Sequence, residues 1–77
     1  MLSVPGQHAT EVFAALATDE RLDADERAAA ANLARRNDNE HFLCHGREWC
    51  SFVSGPFTFR VWPYTTGATV NVGVDRH

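Results

Sequence analysis

The sequence contains no lysine, so all seven of its basic side chains are arginines. This absence excludes three kinds of site that need a lysine amine: the phosphate-binding P-loop, a Schiff base and a lysine general base. The arginines are not clustered, and the formal net charge is −3. Nucleic-acid-binding domains usually carry clustered Lys and Arg. The composition therefore argues against nucleic acid as a partner.

Long hydrophobic runs are also absent, since no stretch approaches the roughly 20 apolar residues of a membrane span. The N-terminal residues lack the basic segment and apolar core of a secretory signal. We therefore expect a cytoplasmic protein with no membrane partner. A length of 77 residues predicts one small domain, residues 1–77, whose core only just offsets chain entropy.

Recognised catalytic motifs are missing as well. The chain contains no G-x-S-x-G, H-E-x-x-H or G-x-G-x-x-G sequence and no paired C-x-x-C. The acidic stretch from Asp19 to Glu26 lacks the Gly at the sixth place and the Glu at the twelfth place of an EF-hand loop. We expect no enzyme activity and no cofactor.

The first helix is predicted from one apolar stripe. Its members recur with helical spacing: Ala9, Val12, Phe13, Leu16 and Ala17. Residues 1–7 are interpreted as a lead-in, with Ser3 as a candidate cap and Pro5 in a first helical turn. The stripe predicts that one face of this helix is buried.

A second helix is predicted to begin at Asp23, because Glu26 follows three residues later as in a capping box. Its inward residues are expected to be Ala30, Leu33 and Ala34. Residues 37–39 read Asn-Asp-Asn, which is typical of a helix stop. The first half of the chain therefore predicts a helical hairpin.

The second half predicts an antiparallel meander. Residues 57–62 and 68–74 alternate apolar and polar side chains, residues 48–54 form a further run, and Gly55-Pro56 and residues 63–67 are turns. The inward set is expected to be Phe57, Phe59, Val61, Val70, Val72 and Val74. One sheet face should therefore pack on the helices.

The segment from residue 41 to residue 50 is the richest in reactive side chains. It holds His41, Cys44, His45 and Cys50, which could ligate zinc. Their spacing is not a common zinc pattern, and adjacent residues of a strand point to opposite faces. A Cys–His nucleophile pair would need a third group to orient the histidine, and no such group is evident. We expect neither a metal site nor a catalytic cysteine.

The turn at Gly46 decides how the two cysteines relate. If Gly46 opens a two-residue type II′ turn, Cys44 lies opposite Trp49 and on the other face from Cys50. A three-residue loop would instead set Cys44 opposite Cys50 and allow a disulfide or a shared metal. We favour the first register, with two reduced and buried cysteines, because cytosolic thiols are normally reduced.

The sheet face away from the helices is the best candidate site. It should present Thr58, Arg60, Trp62, Thr69 and Asn71, with Trp49 beside them and Tyr64 at the edge. Trp, Tyr and Arg are the residue types most enriched at binding hot spots, so Trp49, Arg60, Trp62 and Tyr64 are the predicted partner-binding residues. The alternative is that these aromatic residues only pack across strands.

The sequence thus predicts an α+β domain in which an N-terminal two-helix hairpin packs on one face of a three- to four-stranded antiparallel meander. We expect a non-enzymatic protein–protein interaction module that binds a protein partner or a second copy of itself. Its size, acidic balance and Ala- and Arg-rich composition favour an inhibitor or adaptor of a host protein, encoded by a phage or mobile element. The alternatives are a sheet that binds single-stranded nucleic acid and a domain stabilised by zinc at residues 41–50.

Overall fold

A computed structural model describes residues 1–36, 43–63 and 69–77. The elements in chain order are β1 (Leu2–Pro5), α1 (Ala9–Leu16), α2 (Ala24–Ala34), β2 (Cys50–Ser54), β3 (Phe57–Trp62) and β4 (Thr69–Arg76). The predicted α+β class is confirmed: two helices pack on a four-stranded antiparallel sheet. The predicted helix stop at residues 37–39, together with His41 and Tyr64, lies outside the described residues.

The strands are arranged in the order β1-β4-β3-β2, so the predicted meander forms and an N-terminal strand is added beside β4. That strand was not predicted. Ser3 and Pro5 belong to it, pairing with Asn71 and Thr69, and Ser3 is therefore not a helix cap. Proline is compatible with an edge strand when its nitrogen faces away from the neighbouring strand.

At the start of each helix, the N-cap residue contacts the glutamate three residues later. At α2 the predicted capping box is confirmed, since Glu26 N–H donates to Asp23 Oδ1 at 2.8 Å and Asp23 N–H donates to Glu26 Oε1 at 2.9 Å. At α1 the N-cap is His8, whose N–H donates to Glu11 Oε1 at 3.2 Å and whose ring Nδ1 lies 2.8 Å from that oxygen. The contact with the His8 ring, helped by backbone N–H groups, lowers the pKa of Glu11.

The core lies between the helix pair and the inner sheet face. Its fully buried large side chains are Val4, Val12, Phe13, Leu16, Leu33, Phe59, Val61 and Val72. Phe13 is central: its ring centroid lies 4.9 Å from that of Phe52 and 5.4 Å from that of Phe59, both in edge-to-face contact. The predicted inward residues of β3 and β4 accordingly pack on the helices, with Val74 partly buried at the margin of the core.

Arg21 links the loop between α1 and α2 to the sheet, and Asp19 in the same loop holds its guanidinium. Arg21 Nε donates to Asp19 Oδ1 at 2.9 Å, and Arg21 Nη2 donates to the Ser3 carbonyl of β1 at 3.2 Å. The hydrogen bond from the Arg21 side chain, and that from its backbone N–H, lower the pKa of Asp19 to about 2. The contact therefore fixes the loop against the edge of β1.

Candidate functional site

Strand register determines which side chains share the sheet face that points away from the helices, here called the outer face. Arg60 lies between Ser51 of β2 and Gly73 of β4. Trp62 lies opposite Asn71, and Thr58 lies between Val53 and Asp75. Side chains alternate along a strand, so the residues at these paired positions lie on one surface.

Arg60 extends from the middle of the outer face into solvent. Its Nε lies 3.3 Å from Asp75 Oδ2, and the two side chains are 54% and 57% exposed. Exposed ion pairs contribute little to stability because water screens them. The guanidinium can therefore exchange this carboxylate for one on a partner at small cost.

Trp62 is half-buried, and one edge of its six-membered ring approaches Gly73 of β4. A Cβ atom added to Gly73 would stand 3.5 Å from Trp62 Cζ3, so alanine would fit there in ordinary contact and a larger side chain would meet the ring. Next to it, Ser3 Oγ donates to Asn71 Oδ1 at 3.2 Å. The contact at Gly73 was not predicted from the sequence, although an isolated glycine inside a strand pattern often marks such a close approach.

Trp49 precedes β2 and is 51% exposed. Extending the alternation of β2 by one residue would place it on the same side as Ser51, and continuing the register of β2 and β3 by one pair would set it opposite Trp62. The structure thus places Arg60 and Trp62 on the outer face and Trp49 at its margin. Tyr64, the fourth predicted binding residue, lies outside the described residues.

Cys44 and Cys50 form a disulfide, with their Cα atoms 5.3 Å apart. The register favoured from the sequence, with two reduced cysteines on opposite faces, is therefore wrong. The cause lies in the backbone, since Cys44, His45 and Gly46 have φ values of 56°, 50° and 83°. Three successive left-handed residues form a tight turn at Leu43–Gly46 in place of a strand, and this turn brings Cys44 back to the start of β2.

The disulfide affects both hypotheses for residues 41–50, the zinc site and the Cys–His nucleophile pair. Zinc binds cysteine as a thiolate, and a cysteine nucleophile is also a thiolate, whereas both sulfurs are joined to each other here. Within residues 1–36, 43–63 and 69–77, no group of three or more His, Cys, Asp or Glu side chains is placed to hold a metal ion. The zinc alternative would require prior reduction of the disulfide.

In the described part of the chain, neither helix has the length and apolar character needed to cross a membrane. No protein-family model matches the sequence, and no curated protein or solved structure is significantly similar to it.

Proposed function

We propose that this protein is a small, non-enzymatic interaction module whose outer sheet face binds another protein. The observation that supports the proposal most directly is the placement of Arg60 and Trp62 on one solvent-facing surface, with Trp49 at its margin. Arg and Trp are the residues most often found at the centre of protein interfaces, because they combine large contact area with hydrogen bonding.

The chemistry of the outer face indicates what a partner should present. Many of the neighbouring positions on the outer face carry small polar side chains. These are Ser3, Ser51, Thr58, Thr69 and Asn71. A partner surface with one carboxylate for Arg60 and an apolar side chain for Trp62 would match this arrangement. Tyr64 stays a predicted member of the same surface.

Single-stranded nucleic acid is the second candidate, since bases stack on the aromatic side chains of a sheet. It requires a positive groove along the bound strand. On the outer face Arg60 is accompanied by Asp75, 3.3 Å away, and the whole chain has a formal net charge of −3. This balance favours protein over nucleic acid.

A binding experiment with an outer-face variant tests the proposal. The immobilised wild-type protein and the Arg60→Ala/Trp62→Ala variant would be compared in partner capture, with circular dichroism as the control for folding. We expect the variant to lose its partner and keep its fold. Equal capture by both proteins would contradict the proposal, and affinity that falls steeply with salt would favour nucleic acid.

The biological setting is also part of the proposal. An inhibitor or adaptor of a host protein, encoded by a phage or mobile element, is supported by the small size, the net charge of −3 and the absence of the catalytic motifs named above. A purified complex with a host protein, whose activity changes when the complex forms, is the result that this role requires. Binding without any effect on the partner would leave the adaptor function.

The cytoplasmic location enters the proposal together with a test on the disulfide. Cytosolic proteins keep their thiols reduced, so Cys44 and Cys50 would be free thiols there, whereas an oxidising compartment would preserve the bond. Cells of the source would be lysed into an alkylating reagent and the protein weighed by mass spectrometry. A protein with two alkylated cysteines would support a cytoplasmic location. A protein with no alkylated cysteine would contradict it.

A further inference from the structure

The two outermost strands of the sheet differ in how their backbone groups are occupied. Along a strand, the N–H and C=O of one residue point to one side and those of the next point to the other. Ser54 and Phe57 flank a two-residue turn, so their backbone N–H and C=O groups bond to each other. By alternation, the backbone groups of Phe52 and Cys50 also point to β3, and those of Ser51 and Val53 point away from it. The neighbour of Phe57, Pro56, points the other way as this alternation requires, because its carbonyl accepts a hydrogen bond at 2.7 Å from the N–H of His77, just after β4.

The free edge of β1 is protected. The same alternation directs Ser3 and Pro5 away from β4. The Ser3 carbonyl accepts a hydrogen bond from Arg21 Nη2 at 3.2 Å, and Pro5 has no N–H to offer. These are the devices by which sheet proteins prevent an edge from pairing with another strand.

The free edge of β2 lacks both devices. Its sequence, Cys-Ser-Phe-Val-Ser, contains no charged residue and no proline. Within residues 1–36, 43–63 and 69–77, no hydrogen bond reaches the outward backbone groups of Ser51 or Val53. An edge of this kind is a template for an additional strand.

Exposed apolar side chains identify the strand that fits this edge. In the described part of the chain the large hydrophobic residues that are exposed are Met1, Trp49 and Val53. Trp49 and Val53 lie two residues before and two residues after Ser51. We propose that β2 pairs antiparallel with β2 of a second copy, about a two-fold axis at Ser51.

This register is self-complementary. It sets Trp49 of each copy opposite Val53 of the other, and the two Ser51 residues opposite each other. Aromatic and β-branched side chains are a favourable cross-strand pair. The outward backbone N–H and C=O groups of residues 49, 51 and 53 would form hydrogen bonds with those of the second copy. Residues 49–54 carry no charged side chain, so this pairing brings no like charges together.

The dimer would contain one continuous eight-stranded sheet, four strands from each copy. Its outer face would carry Arg60 and Trp62 twice, with the Trp49–Val53 contacts between the two sets. A single pair of short strands buries a small interface, and small interfaces form weak and reversible complexes. The pairing does not use Arg60 or Trp62, which carry the proposed binding of the outer face, so either proposal can fail without the other.

Sedimentation equilibrium of the full chain tests the dimer. We expect the wild-type mass to rise from 8.6 kDa towards twice that value between low micromolar and roughly 1 mM protein. Val53→Lys removes the apolar contact and places two cations in the interface, and Ser51→Pro removes an outward N–H that the monomer does not use. Both should weaken association by at least tenfold.

Two controls accompany these variants. Ala14→Lys adds the same charge on the exposed side of α1 and should dimerise like the wild type. Arg60→Ala/Trp62→Ala should also still dimerise, since the edge does not involve these side chains. A wild-type protein that stays monomeric at the highest concentration, or a Val53→Lys variant that associates equally well, would overturn the proposal.

Amide hydrogen exchange locates the contact. Phe52 bonds to β3 in the monomer and should exchange slowly at every concentration. The N–H groups of Ser51 and Val53 should exchange fast in dilute protein and become protected as the dimer forms. Association without protection at these two amides would place the interface elsewhere and overturn the inference.

Discussion

The edge of the Trp62 ring lies next to Gly73 on the neighbouring strand, where the hydrogen of the glycine leaves room that a larger side chain would fill. Trp62 is half-buried, so it packs on the sheet and also presents surface to solvent. Cross-strand packing and partner binding were alternative interpretations of the aromatic residues in the sequence. At Trp62 the two are compatible.

The effect of replacing Gly73 should depend on the size of the new side chain: a small one should stabilise the fold, and a larger one should displace the Trp62 ring. A Cβ would stand 3.5 Å from Trp62 Cζ3, an ordinary contact, and alanine restricts the unfolded chain. Gly73→Ala should therefore raise the free energy of unfolding by about 0.5 kcal/mol. Gly73→Val should displace the ring and shift its emission to longer wavelength. Urea unfolding and fluorescence in a Trp49→Phe background measure both, and an unshifted, equally stable Val variant would contradict the contact.

Gly6 should be far less tolerant than Gly55, although both have positive φ. At Gly6, with φ of 131°, a Cβ would lie 3.0 Å from Glu11 Cβ and 3.1 Å from Val12 Cγ2. At Gly55, with φ of 58°, no atom of the described residues beyond its chain neighbours lies within 4 Å of the added Cβ. We expect Gly6→Ala to cost on the order of 1–3 kcal/mol and Gly55→Ala about 1 kcal/mol. Equal thermal stabilities of the two variants would show that the close approach is not important.

Removal of the disulfide should destabilise the fold without abolishing it. The bond joins residues separated by six positions, and closing so short a loop contributes up to about 2 kcal/mol through the unfolded chain. Release of the left-handed residues Cys44 and His45 acts in the opposite direction, so the net loss should be smaller. Denaturant unfolding of Cys44→Ala/Cys50→Ala beside the oxidised wild type measures the difference. A variant that is fully unfolded would mean that the bond is needed to fold at all.

Acid should weaken the loop held by Asp19. Arg21 lowers the pKa of this carboxyl from 3.8 to about 2 in the folded chain. The unfolded chain therefore takes up a proton first, and the stabilisation, complete above pH 3.8, is lost as the pH falls towards 2. In Asp19→Asn this part of the pH dependence should disappear, while the part due to Glu11 remains. Unfolding free energies over that range compare the two, and parallel curves would contradict the contribution of Asp19.

Much of the fold was visible in the sequence because its signals are local. The apolar stripe of α1, the Asp23–Glu26 capping box and the alternation in β3 and β4 each involve neighbours within a few residues. The same alternation correctly placed Arg60 and Trp62 on the outer face. Periodicity of this kind reports which side of an element is buried, whatever it packs against.

Other features gave no such signal. The strand β1 is four residues long and ends in proline, so its short alternation could not be distinguished from a lead-in. Its formation depends on β4, some 65 residues later, which offers the hydrogen bonds. The disulfide likewise depends on left-handed conformations at Cys44 and His45, which non-glycine residues seldom adopt and no local pattern indicated.

The helices, the meander and the core-facing side of β3 and β4 follow from hydrophobic spacing, which involves residues only a few positions apart. Four other features follow from how distant parts of the chain pack: an N-terminal strand completes the sheet, Cys44 reaches Cys50, the Trp62 ring meets Gly73, and β2 is an outermost strand. Each of these depends on where residues distant in the chain, or a tight turn between them, meet in space.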